Sequence, residues 1–239
     1  MSRENNQAIE SKNHGLADLM HGLSTVNMGG KLLSDGCQIF KSVAIVGSSC
    51  SGKTTLLNSI RSSSLCREKK VLIPVRYTTR PKRENDIFDE NIYITEEEFT
   101  KKAKNLQISL YWKKKMDDER EARFGFAPPA ADRLSVYSGN NGLLYNQKSV
   151  YPRGILDMIL FVGIYAPDEV RKERLFMRSP DLVQDKPKEL FYRLEDKAEK
   201  IFSRVHLVIN NYGPYMKDAL SDIVELIRRM AIKYSLGHG

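Results

Sequence analysis

Gly47-Ser48-Ser49-Cys50-Ser51-Gly52-Lys53-Thr54 is the stretch that decides the reading of this chain. It satisfies the pattern G-x-x-x-x-G-K-[ST]. The residues before it, 41–47 (KSVAIVG), are a short β-branched apolar run of the kind that forms a buried parallel strand. After it, Leu56, Leu57 and Ile60 fall on one face of a helix running from Lys53 to about Ser63. The glycines let the chain wrap closely enough for backbone N–H groups to face phosphate oxygens. The helix start adds a positive partial charge at the same place. The pattern therefore predicts an ATP site made of Gly47, Ser48, Ser49, Cys50, Ser51, Gly52, Lys53, Thr54 and Thr55. Lys53 is expected to reach the β- and γ-phosphates and to act catalytically, and the Thr54 hydroxyl to ligate Mg²⁺.

Working outward, apolar strand-like runs alternate with amphipathic helical ones. Val71–Val75 reads as a second strand, with Pro74 placing it at an edge or at its own end. Arg76–Asn91 is polar and charged and reads as loop. Thr95-Glu-Glu-Glu98 is a capping box that opens a helix carrying Phe99. Ile108–Trp112 alternates like a strand, and Lys113–Arg123 reads as a solvated hairpin or helix. Leu134–Tyr137 is a third core strand and Asp157–Ala166 a buried one. Pro167 starts a helix to about Arg178, and residues 179–186, with two prolines, form a loop. Glu189–Phe202 reads as helix, His206–Ile209 as the last strand and Tyr215–Tyr234 as a closing helix with Ala219, Ile223, Leu226, Ile227 and Met230 on one face. The fold class is α/β, a P-loop NTPase fold with a mostly parallel sheet flanked by helices. Residues 1–38 read as an N-terminal extension outside that core, either a disordered arm or a docked segment, with Leu16, Leu19, Met20 and Leu23 at helical spacing.

Composition excludes several classes. The 239 residues are 41% hydrophobic and 28% charged, ordinary for a globular chain with its own core. Cys37, Cys50 and Cys66 are odd in number with no CxxC spacing, which argues against a disulfide framework or a zinc site and for a reducing, cytoplasmic setting. The first fifteen residues lack an apolar signal core, and the longest apolar run, Met158–Ala166, is too short to cross a bilayer. No membrane partner is expected. The net charge of +8 predicts attraction to anions. Without a nucleic-acid motif, a small phosphate-rich partner is the expectation and nucleic acid is not. Nothing in the sequence sets an oligomeric state.

Arg76-Tyr77-Thr78-Thr79-Arg80-Pro81-Lys82-Arg83 places four cations and three hydroxyls in eight residues, a phosphate clamp by composition. Here the chain resembles the guanylate kinase family, which carries T-T-R-x-P-R-x-G-E after its second strand. The resemblance continues through Glu90–Phe99, the Arg174-Leu175-Phe176-Met177-Arg178 stretch before a mobile lid, Tyr192-Arg193-Leu194 after it, and Val208-Ile209-Asn210-Asn211 near the adenine. It spans roughly residues 41–234 and implies one kinase domain over 39–239, with an acceptor-binding insertion at about 76–126 and a lid at about 178–190. It implies Arg178, Arg193 and Arg174 as transition-state cations and Asn210 in the ATP site. Arg76, Tyr77, Thr79, Arg80, Arg83 and Asn91 would form the acceptor site.

The chain departs from that family where guanine is read. Tyr111 stands at the glutamate position, Phe124 and Phe126 at the hydroxyl positions, and Ser138-Gly139-Asn140-Asn141 in place of D-x-D. Ribose 1,5-bisphosphate phosphokinases, with R-Y-x-T-R-P and an S-W pair, resemble Arg76–Pro81, Glu90-Asn91 and Trp112. The expected activity is ATP-dependent phosphoryl transfer to a small phosphorylated acceptor, nucleoside-monophosphate-like or ribose 1,5-bisphosphate. The alternatives are a non-catalytic guanylate-kinase-like interaction module and a nucleic-acid-end kinase that stacks bases on Tyr111, Trp112, Phe124 and Phe126.

Overall fold

The computed structural model describes residues 18–29, 40–82, 91–116, 120–139, 142–145, 147–149, 158–178 and 198–236. Its main sheet contains β1 (Val26–Met28), β2 (Ser42–Val46), β3 (Val71–Leu72), β8 (Leu134–Ser138), β10 (Ile159–Tyr165) and β11 (Leu207–Asn210). The spatial order is β1-β11-β10-β2-β8-β3. All neighbours from β11 to β3 are parallel, and only β1 runs antiparallel. After β2 the chain passes to β3 at the edge and returns to β8 beside β2, then crosses to β10 and β11 on the other side. The carboxyl end of β2 is thus a topological switch point, where neighbouring connections leave in opposite directions and open a crevice.

Strand alternation divides the core in two. Val43, Ile45, Leu160, Val162, Ile164, Leu207 and Ile209 pack under α1 (Lys53–Ser62) and α6 (Met216–Leu236). The predicted faces of both helices are buried: Leu56, Leu57 and Ile60 on α1, and Ala219, Ile223, Leu226, Ile227 and Met230 on α6. Ala44, Val46, Tyr137, Ile159, Phe161 and Val208 face the other way. They are covered by the short 3₁₀ helix Ala198–Arg204 and by a second sheet.

That second sheet has the order β5-β4-β7-β6-β9: β4 is Arg76–Thr78, β5 Asn91–Tyr93, β6 Leu110–Lys115, β7 Glu121–Phe126 and β9 Gln147–Ser149. Its inner aromatics form one stack. The Trp112 and Phe124 ring centroids lie 5.7 Å apart, and Phe126 reaches Tyr137 of the main sheet at 4.9 Å. Such pairs contribute about 0.5–1.5 kcal/mol each beyond their area. The predicted capping box is present at Thr95, where Glu98 and Thr95 exchange both bonds and open α3 (Glu96–Lys104). Phe99 on α3 is buried against the outer face of this sheet.

Two expectations are corrected. Residues 76–78 are strand rather than loop, because β4 pairs with both β5 and β7. Of the N-terminal extension, residues 18–29 belong to the core: Leu19 and Val26 are buried, and β1 covers the edge of β11. The Asp222 carboxylate accepts from both the backbone N–H and the hydroxyl of Thr25, at 2.8 and 2.7 Å. Arg229 donates to the carbonyls of Leu19 and His21. The charged stretch 113–123 is a hairpin in its described residues. The predicted lid beyond Arg178 and the helix over 189–197 lie outside the described residues. Among the described residues no helix is long and apolar enough to cross a membrane.

Candidate functional site

The loop Gly47–Gly52 joins β2 to α1 at the switch point. Gly52 has φ +97°, and a Cβ there would stand 2.0 Å from the Asn211 amide nitrogen. Gly47 lies so close to β10 that a Cβ would meet the Ile164 carbonyl oxygen at 2.7 Å. Both positions therefore exclude side chains. The helix they open has no side-chain cap and no acid in its first turn. Its first N–H groups and its positive end are left for an outside anion.

The loop's carbonyls explain how this turn is held. Lys53 Nζ donates to the Gly47 and Ser48 oxygens at 2.7 and 2.8 Å. Arg171 Nε donates to Ser49 at 2.9 Å. Arg174 Nη1 reaches the Cys50 and Ser51 oxygens at 3.4 Å, and Asn211 Nδ2 donates to Ser51 at 2.8 Å. The Gly52 oxygen takes the first helical bond, from Leu56. Six consecutive carbonyls are thus tied back. Side chains hold most of the loop's carbonyls in place, while the Ser51 N–H closes a turn onto the Ser48 carbonyl. The buried Ser51 hydroxyl has no partner among the described residues.

Two of these ties were not legible as site residues. Arg171 has no exposed surface, with Nη1 on Asp168 at 2.6 Å and Nε on the loop. Its one signal is its place three residues before Arg174, on the same face of α5 (Asp168–Arg178). Asn211, rather than its expected neighbour Asn210, touches the loop. It is buried, and its carbonyl accepts Arg174 Nη2 at 2.7 Å. Asn210 donates its N–H to Thr25 at the end of β11.

Burial pushes the Lys53 ammonium down to about 7. The cations Lys114, Arg171 and Arg76 act in the same direction, with Cys50 opposing. Burial also lowers the Arg174 guanidinium. The site is a place where positive charge is concentrated and only partly hydrated, so an anion arriving there relieves like-charge repulsion.

At the predicted phosphate clamp, β4 divides the residues between the two faces of the second sheet. Arg76 lies on the inner face, its guanidinium 5.4 Å from the Phe124 ring and its Nε on Asn91 Oδ1 at 2.9 Å. Asn91 therefore orients Arg76. Tyr77 lies under the Lys102 ammonium of α3, and the Thr79 hydroxyl accepts the Arg123 N–H. Arg80 is buried, donating to the Pro81 carbonyl and packed over Tyr93. Ser48 is buried, and Ser49, Cys50 and Thr54 are half-buried. Thr55 and Arg178 are exposed, while Arg83 and Arg193 lie outside the described residues. The aromatics Trp112, Phe124 and Phe126, which a base-stacking nucleic-acid surface would need exposed, are core.

Thr54, the expected metal ligand, lies in the first turn of α1. Among the described residues no group of three His, Cys, Asp or Glu side chains stands close enough together to hold a metal ion. Cys50 and Cys66 are free thiols. No protein-family model and no curated protein sequence matches the chain. A solved structure of guanylate kinase from Anaplasma phagocytophilum is similar over 85% of this chain and 87% of that one, at 12% sequence identity and a TM-score of 0.49.

Proposed function

We propose that this chain is an ATP-dependent kinase that transfers the γ-phosphoryl group of Mg²⁺-bound ATP to a small phosphorylated acceptor, nucleoside-monophosphate-like or ribose 1,5-bisphosphate. The observation that supports the reading is that six consecutive loop carbonyls, 47 to 52, are each hydrogen-bonded within the protein, ahead of a helix start with no cap of its own. That arrangement suits an anion, and a polyphosphate among anions.

In this reading the loop amides hold the phosphates, and Lys53 swings from the loop carbonyls onto the β- and γ-phosphates. Thr54 ligates Mg²⁺, which neutralises charge on the phosphates when bound. Arg76, Arg80 and Arg83 hold the acceptor, with Asn91 fixing Arg76. Arg178 and Arg193 meet the charge that spreads over the transferring oxygens. An acceptor whose nucleophile is a phosphate oxygen attacks as an anion. The bond from the γ-phosphorus to the bridging oxygen breaks, the new P–O bond forms, and no proton has to be removed from the nucleophile.

The test is a transfer assay with ATP against GMP, dGMP, other nucleoside monophosphates and ribose 1,5-bisphosphate. Turnover is expected with one acceptor class, and Lys53→Ala should abolish it with little change in the unfolding midpoint. Unchanged turnover in that variant, or no binding of Mg²⁺-ATP by the folded wild type, refutes the reading.

A further inference from the structure

Helix α6 carries a polar stripe turned toward the N-terminal segment. Asp218, Asp222, Glu225 and Arg229 stand at i, i+4, i+7 and i+11, on one face of the helix. The Ser24 hydroxyl donates to Asp218 at 3.4 Å, and the Thr25 N–H and hydroxyl both donate to Asp222. Arg229 Nη1 donates to the Leu19 and His21 carbonyls at 3.0 and 2.7 Å, while Glu225 accepts its Nε at 2.8 Å. The other side of the segment is paired with β11. Val26, Asn27 and Met28 lie opposite Ile209, Val208 and Leu207. The Asn210 N–H donates to the Thr25 carbonyl and the Gly29 N–H to the His206 carbonyl, so the ladder runs past both ends of β1. Seating is tight at Gly29, where a Cβ would stand 2.1 Å from the Val205 carbonyl oxygen. Apolar anchorage is small by comparison: Leu19 and Val26 are the segment's buried apolar side chains. A sheet-edge segment held chiefly by polar bonds belongs to the part of a fold that opens before the rest.

The strand that this segment covers ends at the phosphate loop. Asn211 follows β11 directly, and its N–H donates to the Tyr165 carbonyl at 2.8 Å. Its side-chain amide holds the Ser51 carbonyl at 2.8 Å, and its own carbonyl accepts Arg174 Nη2 at 2.7 Å. The approach leaves no slack, since a Cβ on Gly52 would come within 2.0 Å of that amide. A second route runs through α6, whose Ala219, Ile223 and Ile227 share one core cluster with Leu56, Leu57 and Ile60 of α1, the helix that the loop opens. Packed elements shift as units rather than deform continuously. The place Asn211 takes with the segment seated is thus the place from which it holds the loop.

We propose that residues 18–29 are a strap whose seating on β11 and α6 is coupled to anion binding in the phosphate loop, each favouring the other. The inference rests on the phosphate-binding part of the proposed function and not on catalysis. Asn211 is the positioning residue that carries the coupling. Linkage makes the effect reciprocal: the factor by which a seated strap raises anion affinity is the factor by which the anion raises the seated fraction.

Hydrogen exchange followed by NMR on the full chain, with and without saturating inorganic tripolyphosphate, tests it. The Thr25 and Gly29 amides, which exchange when the strap opens, should slow at least about fivefold with the anion bound, the lower end of ordinary coupling strengths. The Phe99 amide of α3, remote from this route, should show no comparable slowing. Gly29→Ala and Arg229→Met loosen the strap from opposite ends without touching the loop. Each should weaken tripolyphosphate binding at least about fivefold by calorimetry, and the exchange measurement needs neither variant to fold. Tripolyphosphate binding that leaves the Thr25 and Gly29 amides unchanged overturns the coupling while sparing the proposed function, as do folded strap variants with wild-type affinity. No tripolyphosphate binding at all overturns both.

Discussion

Binding of Mg²⁺-ATP should draw a proton from solution, and Lys53 should be the group that takes it. In the free protein Lys53 holds two carbonyls with two N–H bonds, at 2.7 and 2.8 Å, which a neutral amine can supply. Burial and the surrounding cations bring its pKa to about 7 from an ordinary 10.5. At pH 8 such a group is about nine-tenths neutral, and at pH 6 about one-tenth. A triphosphate in contact restores the charge, so binding should take up about 0.9 proton at pH 8 and about 0.1 at pH 6. Calorimetry in Tris and in HEPES measures this directly, because the observed heat changes with the buffer's ionisation enthalpy in proportion to the protons moved. Lys53→Met should remove the dependence. A buffer-independent heat at pH 8, or one unaltered in Lys53→Met, would refute the reasoning. The same shift has a stability sign. Between about pH 7 and 10.5 the unfolded chain binds more protons at this group than the native one, so its contribution makes the ligand-free protein more stable as pH rises through that window.

Arg171→Met should lower stability by about 1–3 kcal/mol, since the part-buried Ser49 carbonyl loses its donor, and weaken ATP by about tenfold; ATP affinity equal to wild type would show that the loop needs no such tie. Asp222→Ala leaves the Thr25 N–H and hydroxyl without their acceptor and should cost about 2–4 kcal/mol in urea unfolding; a change near zero would mean that residues 18–29 are not part of the cooperative unit. Arg80→Ala should raise the acceptor KM far more than the ATP KM, and the reverse pattern would move Arg80 to the donor side.

The parts of the fold visible in the sequence are those fixed by short-range pattern. The 42–46 strand, the Leu56/Leu57/Ile60 face and the Thr95 capping box each depend on residues within one or two turns of each other. The parts that were not visible depend on distant partners. Arg76–Thr78 is three polar residues, and it becomes strand because β5 and β7 flank it. Val26–Met28 carries no alternation of its own, and is held by Asp222 and by β11. Arg171 reads as any charged helix residue; its burial is made by a carbonyl 122 residues earlier in the chain. The loop motif marks where a phosphate site is expected, but not the groups that hold the loop's carbonyls.

Those groups also suggest a division of work among the arginines of α5, as part of the proposed kinase reading. Arg171, Arg174 and Arg178 stand at i, i+3 and i+7, on one face of the helix. Arg171 is wholly buried, Arg174 half-buried and Arg178 exposed. The donors of the first two are directed at Ser49, Cys50, Ser51 and Asn211. Unlike the single ammonium of Lys53, the Arg174 guanidinium is tied at once to three backbone carbonyls on two elements, Cys50 and Ser51 in the loop and Asn211 after β11. In the proposed reading Arg174 acts by positioning the loop, and the charge that meets the transition state comes from further along the stripe. Arg178 is one turn on, at the end of α5, anchored through the same helix to the loop it would serve. Truncating Arg174 should then weaken ATP binding, whereas truncating Arg178 should lower kcat; an Arg174 variant with normal ATP affinity and a depressed kcat would reverse the assignment.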